Sequence, residues 1–313
     1  MPIIQANESE YRNVDRISTG IPELDEKTGG GIPRKFTTEL SGEPGTGKSA
    51  LAMFIVKEAQ DLGLRVLYAD VERTFAYSFA EKIGIDLKKL NMLIEDTAEQ
   101  YMNTILDMLD KKKVDLVILD SFGALEAAED YERREVAAKG YPVLALLTDR
   151  FVRKAVIALP KANAALIVIN HEKKTFEGFK KLLGGKSLAF HKTLALKLYH
   201  NGNNVKQGDE ILGKEVMIKI EKIKANLGGT PWTEVKIHYT TEKGFTYVMN
   251  LIERGEAAGI LTKKANTYYF MGETKIGTKN KVKDWLAIES NKIWYEQELT
   301  FALENGIPEN NNS

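Results

Sequence analysis

The 313-residue chain contains no cysteine. This absence excludes disulfide bonds and thiolate metal sites, and it is compatible with a reducing compartment such as the cytosol. No apolar run approaches the roughly 20 residues that a membrane-spanning helix needs. The first residues also lack the basic segment and apolar core of a signal peptide. We therefore expect a soluble, cytoplasmic protein without a membrane partner.

The chain also lacks an excess of charge of either sign, because 44 Lys and Arg residues balance 44 Asp and Glu residues. Any surface for nucleic acid must therefore be a local patch. Hydrophobic residues make up 43% of the chain, which is enough to bury a full core and leave room for a second, smaller lobe.

One feature that is present is an uninterrupted G-x-x-x-x-G-K-S motif at residues 42–49. Its residues are Gly42, Glu43, Pro44, Gly45, Thr46, Gly47, Lys48 and Ser49. The motif follows a strand-like run and opens a helix-like one, which is the context that a phosphate-binding loop requires. The glycines let backbone N–H groups surround phosphate oxygens, while Lys48 supplies a positive charge and Ser49 a hydroxyl for Mg²⁺. An ordinary glycine-rich turn explains the motif less well, so the sequence predicts binding of a nucleoside triphosphate.

Strand-like and helix-like runs alternate up to residue 170, which predicts an α/β core with a mostly parallel sheet flanked by helices. The predicted strands are 36–40, 65–70, 114–120 and 165–170, and helices are predicted after the phosphate loop and at 76–83, 98–109 and 143–159. Strands at 194–199, 215–223 and 233–239 follow with short connections and predict antiparallel neighbours at one edge. A smaller mixed lobe follows, with a helix at 248–257, a hairpin at 268–275, helices at 281–285 and 294–303, and a disordered tail at 308–313.

Two carboxylates are candidates for chemistry at the strand ends. Asp120 closes an apolar strand, which is the usual placement of the aspartate linked to Mg²⁺ beside a phosphate loop; a solvated strand-end residue is the alternative. Glu72 follows the neighbouring strand and could take a proton from the attacking water. Asp70, two residues earlier, competes for that role on spacing alone.

Several segments occur in an order and spacing that resemble the RecA-type strand-exchange proteins over nearly the whole chain. These segments are 17–25, the phosphate loop, 70–72, 114–125, 169–171, 184–189 and 251–255. The resemblance implies a RecA-like P-loop ATPase core with a mixed, mostly parallel sheet, plus a small α+β C-terminal lobe. Asn170 and His171 look most like phage members such as UvsX, in which a His replaces the family's usual Gln.

The resemblance implies roles at matching positions. The phosphate loop, Ser49 and Asp120 would hold ATP and Mg²⁺, and Glu72 would be the catalytic carboxylate. Phe79 matches the aromatic residue that stacks on adenine, although a core phenylalanine has the same helical spacing. His171 matches the residue that senses the γ-phosphate, although a lone His is more often a surface or satisfied residue.

The strand at residues 215–224 ends in two cations. With a period of two, Lys222 and Lys224 continue the face of Val216, Ile218 and Ile220, so we expect both lysines to project beyond the subunit. The resemblance matches them to a lysine pair that reaches the γ-phosphate of the neighbouring protomer. Two solvated strand-end lysines are the alternative.

Two loops are candidates for DNA binding. The first, residues 126–141, has mixed charge and includes Arg133 and Arg134; a solvated surface loop is the alternative. The second, residues 172–188, interleaves basic and aromatic residues, which could track phosphates and stack on bases, and an amphipathic cap on the core is the alternative. Its candidates are Lys173, Lys174, Phe176, Phe179, Lys180, Lys181, Gly184, Gly185 and Lys186, and Arg153 in the helix between the loops could add a contact.

The expected domains are a short subunit-docking segment (1–16), the ATPase core (17–243) and the C-terminal lobe (244–313). Family members normally carry a longer N-terminal helix, so we expect filament contacts here to rest on residues 3–11. The expected function is an ATP-dependent recombinase that forms helical filaments on single-stranded DNA and pairs it with homologous duplex DNA. Alternatives are a ring-forming ATPase of the KaiC or helicase-loader kind, which the loop interior resembles, and a non-catalytic mediator, against which Lys48, Glu72 and Asp120 argue.

Overall fold

The strands carry the architecture of the computed structural model, which describes residues 13–129, 141–174, 180–182, 185–207, 210–240, 244–246, 248–270, 274–286 and 288–305. In this part of the chain they are β1 Arg16–Ile17, β2 Ile32–Pro33, β3 Thr37–Gly42, β4 Val66–Asp70, β5 Leu90–Leu93, β6 Leu116–Asp120, β7 Ala165–Lys174, β8 Lys180–Leu182, β9 Leu194–Gln207, β10 Glu210–Ile223, β11 Glu234–Thr240, β12 Gly244–Thr246, β13 Leu261–Lys264, β14 Thr267–Phe270 and β15 Thr274–Gly277.

The helices of the described residues are α1 Pro22–Thr28, α2 Lys48–Asp61, α3 Tyr77–Lys82, α4 Ala98–Asp110, α5 Tyr141–Ala162, α6 Gly185–His191, α7 Val248–Ala257, α8 Lys279–Leu286 and α9 Glu289–Asn305. Local sequence explains several of their ends. Helix α4, for example, begins with a capping box in which Thr97 and Gln100 satisfy each other's backbone N–H groups. None of the described helices is long and apolar enough to cross a membrane.

One ten-stranded sheet forms the core, in the order β12-β11-β10-β9-β3-β7-β6-β4-β5, with β8 paired to β7. Strands β9, β3, β7, β6, β4 and β5 run parallel to their neighbours in this order, whereas β10, β11 and β12 continue the sheet in antiparallel fashion. The predicted mostly parallel sheet with an antiparallel edge is therefore confirmed. Strand β3 lies between β7 and β9, which places the end of β3 in the middle of the sheet.

Helices cover both faces of this sheet because its central strands are apolar on both sides. Strand β6, for example, is buried along its whole length. One apolar cluster joins a face of the sheet to α2, and a second cluster joins the opposite face to α4 and α5. Both layers leave the carboxyl ends of the parallel strands at one edge, where ligands bind in open α/β sheets.

The C-terminal lobe has its own apolar core, built from α7, the three-stranded sheet β13-β14-β15, α8 and α9. Ion pairs from Glu253 to Lys236 (2.6 Å) and from Arg254 to Glu26 (3.4 Å) connect it to the ATPase core. Residues 244–246, which we assigned to the lobe, form β12 of the main sheet instead, because Phe245 is buried against the core cluster. Most of the predicted docking segment, residues 1–12, lies outside the described residues.

Candidate nucleotide site

The phosphate loop connects the end of β3 to the start of α2. Gly42 and Gly47 both adopt positive φ angles, +151° and +90°, which favour glycine. A Cβ atom at Gly42 would lie 2.2 Å from the carbonyl oxygen of Leu198 on β9. The sheet therefore packs directly against the loop, and only glycine fits where the loop begins.

Lys48 lies at the first position of α2 and is 4% exposed. Its Nζ donates hydrogen bonds to the carbonyl oxygens of Gly42 (3.1 Å) and Glu43 (2.8 Å). Burial lowers the pKa of Lys48, and the negative charges of Asp120, Glu72 and Glu172 oppose that effect. The ammonium group thus lies inside the loop among carboxylates, where a cation can balance phosphate charge.

Asp120, at the end of β6, accepts a hydrogen bond from Tyr68 Oη at 2.6 Å. Burial raises the pKa of Asp120, and the hydroxyl groups of Tyr68 and Ser49 counteract that rise. Ser49, on α2, therefore lies beside this carboxylate. A hydroxyl and a carboxylate beside a phosphate loop fit Mg²⁺, which takes oxygen ligands and usually uses one or two carboxylates together with phosphates and water.

The structure separates the two candidates for the general base. Both carboxylate oxygens of Asp70 accept backbone N–H groups, from Thr74 (3.1 Å) and Phe75 (3.0 Å), so Asp70 holds the turn after β4. The side chain of Glu72 is 34% exposed and accepts hydrogen bonds from Ser121 and from His171 Nε2 (2.8 Å). Burial alone would raise the pKa of Glu72, but these bonds and the nearby charges lower it. Glu72 is therefore ionised and accessible, which a general base requires.

His171 lies on β7 directly opposite Gly42, the first residue of the phosphate loop. It therefore stands between the loop and Glu72, which is 99 residues away in sequence. This placement fits the predicted role as a sensor of the γ-phosphate, and the role itself remains a prediction.

Phe79 lies on α3 and is half-buried against the apolar core cluster. A Cβ atom at Gly244 would lie 2.7 Å from its ring and 2.8 Å from the ring of Phe54. The packing accounts for Phe79 as a core residue, and its contact with adenine remains a prediction.

The structure corrects the expected geometry of Lys222. A register shift between Ile220 and Lys222 interrupts the pairing of β9 with β10. Lys222 Nζ donates to the carbonyl oxygens of Ala189 (3.0 Å) and Phe190 (3.4 Å) at the end of α6, so it does not project beyond the subunit. Burial, together with the positive charges of Lys224 and Lys192, lowers its pKa. Lys224 follows the end of β10 and is exposed, and its reach towards a neighbouring protomer remains a prediction.

The second DNA loop is described in part. Strands β7 and β8 form a hairpin that pairs Lys173 with Lys181 and Lys174 with Lys180. Gly185 and Lys186 begin α6. Arg153 is exposed on α5 and forms an ion pair with Asp149 at 2.8 Å. The remaining candidates, Arg133, Arg134, Phe176, Phe179 and Gly184, lie outside the described residues.

Sequence reasoning missed three side chains at this site. Ser121 bonds to Glu72, Tyr68 bonds to Asp120, and His200 Nε2 lies 3.1 Å from the carbonyl oxygen of Gly45 in the phosphate loop. Ser121 could have been found because it directly follows Asp120, whereas Tyr68 comes close to Asp120 only through the pairing of β4 with β6. No motif or spacing in the sequence pointed to His200.

The fold and the site together define a P-loop ATPase, with a phosphate loop at the centre of the sheet and the ionised carboxylate of Glu72 just beyond the end of β4. The protein-family model of the RecA N-terminal domain matches residues 2–246 of this chain. Protein RecA of Thermus aquaticus is 30% identical over 290 residues, which cover 91% of this chain and 84% of that protein. Protein RecA of Aquifex aeolicus is 30% identical over 279 residues, covering 87% and 79% respectively.

The chain therefore belongs to the RecA family. It is a DNA-dependent ATPase and an ATP-dependent recombinase, and the ring-forming alternative is not favoured. These relatives are bacterial, so the resemblance to phage members stays a prediction.

Proposed function

We propose that this protein binds ATP with Mg²⁺, forms a helical filament on single-stranded DNA and pairs that DNA with homologous duplex. The observation that carries the proposal is the path of β7. His171 contacts Glu72 in the nucleotide site, and the same strand continues into Lys173 and Lys174, which pair with the lysines of β8. A change at the γ-phosphate therefore has a short, continuous route to a basic hairpin that suits a nucleic-acid backbone.

The residues divide the chemistry between them. The phosphate loop and Lys48 bind the phosphates, and Glu72 accepts the proton of the attacking water. Ser49 and Asp120 would hold Mg²⁺, which neutralises charge on the phosphates when it is bound. Phe79 is the proposed contact for adenine. The base step accounts for roughly 10²–10⁴ of the rate.

We further propose that the active site is completed by a neighbouring protomer. Lys222 and Lys224 are close enough in sequence and position to act as a pair, although Lys222 must first leave the carbonyl groups of α6. A cation supplied in trans is worth about 10³–10⁵ in rate in other phosphoryl-transfer enzymes. We also propose that residues 1–16 form the subunit-docking segment and that the C-terminal lobe is a separate domain.

Electron microscopy of the protein with single-stranded DNA and a slowly hydrolysed ATP analogue tests the assembly. We expect helical filaments for the unchanged protein and naked DNA for a variant with four hairpin lysines replaced by alanine: Lys173, Lys174, Lys180 and Lys181. The control replaces four exposed lysines remote from the hairpin, Lys88, Lys89, Lys111 and Lys113, and should still form filaments. Closed rings, or equal loss of DNA binding in both variants, would contradict the proposal.

A further inference from the structure

The phenol of Tyr68 lies beneath the nucleotide site, and none of the roles above uses it. Tyr68 is 1% exposed on β4, and Asp120 is 7% exposed on β6. Tyr68 Oη donates a hydrogen bond to Asp120 Oδ2 at 2.6 Å. A short bond from a neutral donor to a carboxylate is among the stronger hydrogen bonds in proteins.

The sheet register explains why these two side chains meet. Strands β4 and β6 are parallel neighbours, with Tyr68 opposite Ile118 and Asp70 opposite Asp120. Because side chains alternate between faces, Tyr68, Ile118 and Asp120 point to the same side of the sheet. The long tyrosine side chain then reaches the carboxylate that lies two residues further along β6. A phenylalanine at position 68 would occupy the same space without the bond.

The position of the phenol is fixed by packing. The ring of Tyr68 meets the ring of Phe75 edge-on, with centroids 4.8 Å apart and an interplanar angle of 74°. The Tyr68 hydroxyl is the donor in this bond, because the carboxylate of Asp120 can only accept. Asp120 is thus held by the hydroxyl group of Tyr68.

We propose that Tyr68 is a positioning residue that orients the carboxylate of Asp120 towards the Mg²⁺ of the bound nucleotide. The inference rests on the proposed role of Asp120. Groups that hydrogen-bond to metal-linked side chains fix their orientation, and their loss typically weakens metal binding by about 10–100-fold. Tyr68 therefore sets the Mg²⁺ concentration at which the protein binds nucleotide tightly, and it has no part in Mg²⁺-free binding.

The test compares Tyr68→Phe with the unchanged full chain by titrating Mg²⁺ against a fluorescent, slowly hydrolysed ATP analogue. We expect the Mg²⁺ midpoint to rise on the order of tenfold, while nucleotide affinity in EDTA stays unchanged. Tyr101→Phe is the matched control, because Tyr101 is 2% exposed and its hydroxyl bonds to the backbone carbonyl of Asp70 at 3.1 Å. This variant should keep the midpoint of the unchanged protein.

Asp120→Asn separates the inference from the function on which it rests. A raised midpoint in Asp120→Asn together with an unchanged one in Tyr68→Phe overturns the role of Tyr68 alone. An unchanged midpoint in Asp120→Asn overturns the metal role of Asp120, and the inference with it. Equal loss of affinity with and without Mg²⁺ in Tyr68→Phe indicates a distorted loop and also overturns the inference. Should Tyr68→Phe melt below the assay temperature, the double variant Tyr68→Phe/Asp120→Asn, which lacks the unpaired carboxylate, must match Asp120→Asn in its midpoint.

Discussion

A buried ion pair beneath the phosphate loop gives a quantitative test of the structure. Glu39, on β3, is 2% exposed and pairs with Lys192, whose side chain is 11% exposed. Asn170 Nδ2 donates to the other carboxylate oxygen of Glu39 at 3.0 Å. Replacing Lys192 with methionine keeps most of the side-chain volume but leaves one oxygen of a buried carboxylate without its cation.

Removing one partner of a buried pair costs about 3–5 kcal/mol. With an unfolding entropy of roughly 2.1 cal/mol/K per residue, or about 0.66 kcal/mol/K for this chain, Lys192→Met should lower Tm by roughly 5–8 °C. Differential scanning calorimetry measures this change. The control is Lys111→Met at an exposed pair with Asp107, where the side chains are 57% and 54% exposed and the cost should stay below about 1 kcal/mol.

A second variant tests whether the unpaired charge of Glu39 causes the loss of stability in Lys192→Met. Glu39→Gln/Lys192→Met removes the unpaired charge and keeps an acceptor for Asn170, so it should recover most of the stability lost in Lys192→Met. The reasoning is refuted if Lys192→Met is no less stable than Lys111→Met. It is equally refuted if the double variant is no more stable than Lys192→Met.

Two further predictions concern catalysis. Hydrogen bonds from Ser121 and His171 lower the pKa of Glu72, so Ser121→Ala should raise that pKa. Because the proposed base works in its ionised form, the acid limb of the ATPase pH profile should then move to higher pH. The control is Ser41→Ala, which removes a buried hydroxyl bonded to no described residue and should leave the profile unchanged. Lys222→Ala/Lys224→Ala should bind ATP but barely hydrolyse it on single-stranded DNA, and mixing it with Glu72→Ala protein should restore some turnover in a phosphate-release assay. Normal turnover by the lysine variant alone would exclude the site shared between protomers.

Most of the fold was predictable because the parallel strands are short apolar runs between clear helices. The predicted helix at 248–257 matches α7, and the strand at 114–120 contains β6. Strand β5 was missed because its four residues, with Asn91 among them, carry no alternation. Strand β9 was predicted to end at residue 199 but extends to Gln207. The run from Asn201 to Asn204 is typical of a turn, and pairing with β10 overrides that local preference.

The site was predictable to the extent that motifs carry it. The phosphate loop and Asp120 follow from local sequence, whereas spacing alone left Asp70 as a competitor of Glu72, and the preference for Glu72 came from the family resemblance. The structure favours Glu72, because backbone N–H groups of the following turn bond to both oxygens of Asp70. Glu72 contacts His171 because β4, β6 and β7 lie side by side in the sheet, and the sequence does not show which strands are neighbours. Single-sequence patterns give the strands and not their neighbours, so such contacts require the sheet topology.

Strand β9 has a mechanical consequence for the phosphate loop. Its first residues, up to Leu198, pair with β3, and the rest extends with β10 as a ladder beyond the point where β3 ends. His200 lies just past that point and touches Gly45. The register of this ladder shifts at the same place, because Val216 pairs with His200 whereas Lys214 pairs with Asn204. The phosphate loop is therefore tied through one imidazole ring to the strand pair that forms the antiparallel side of the sheet.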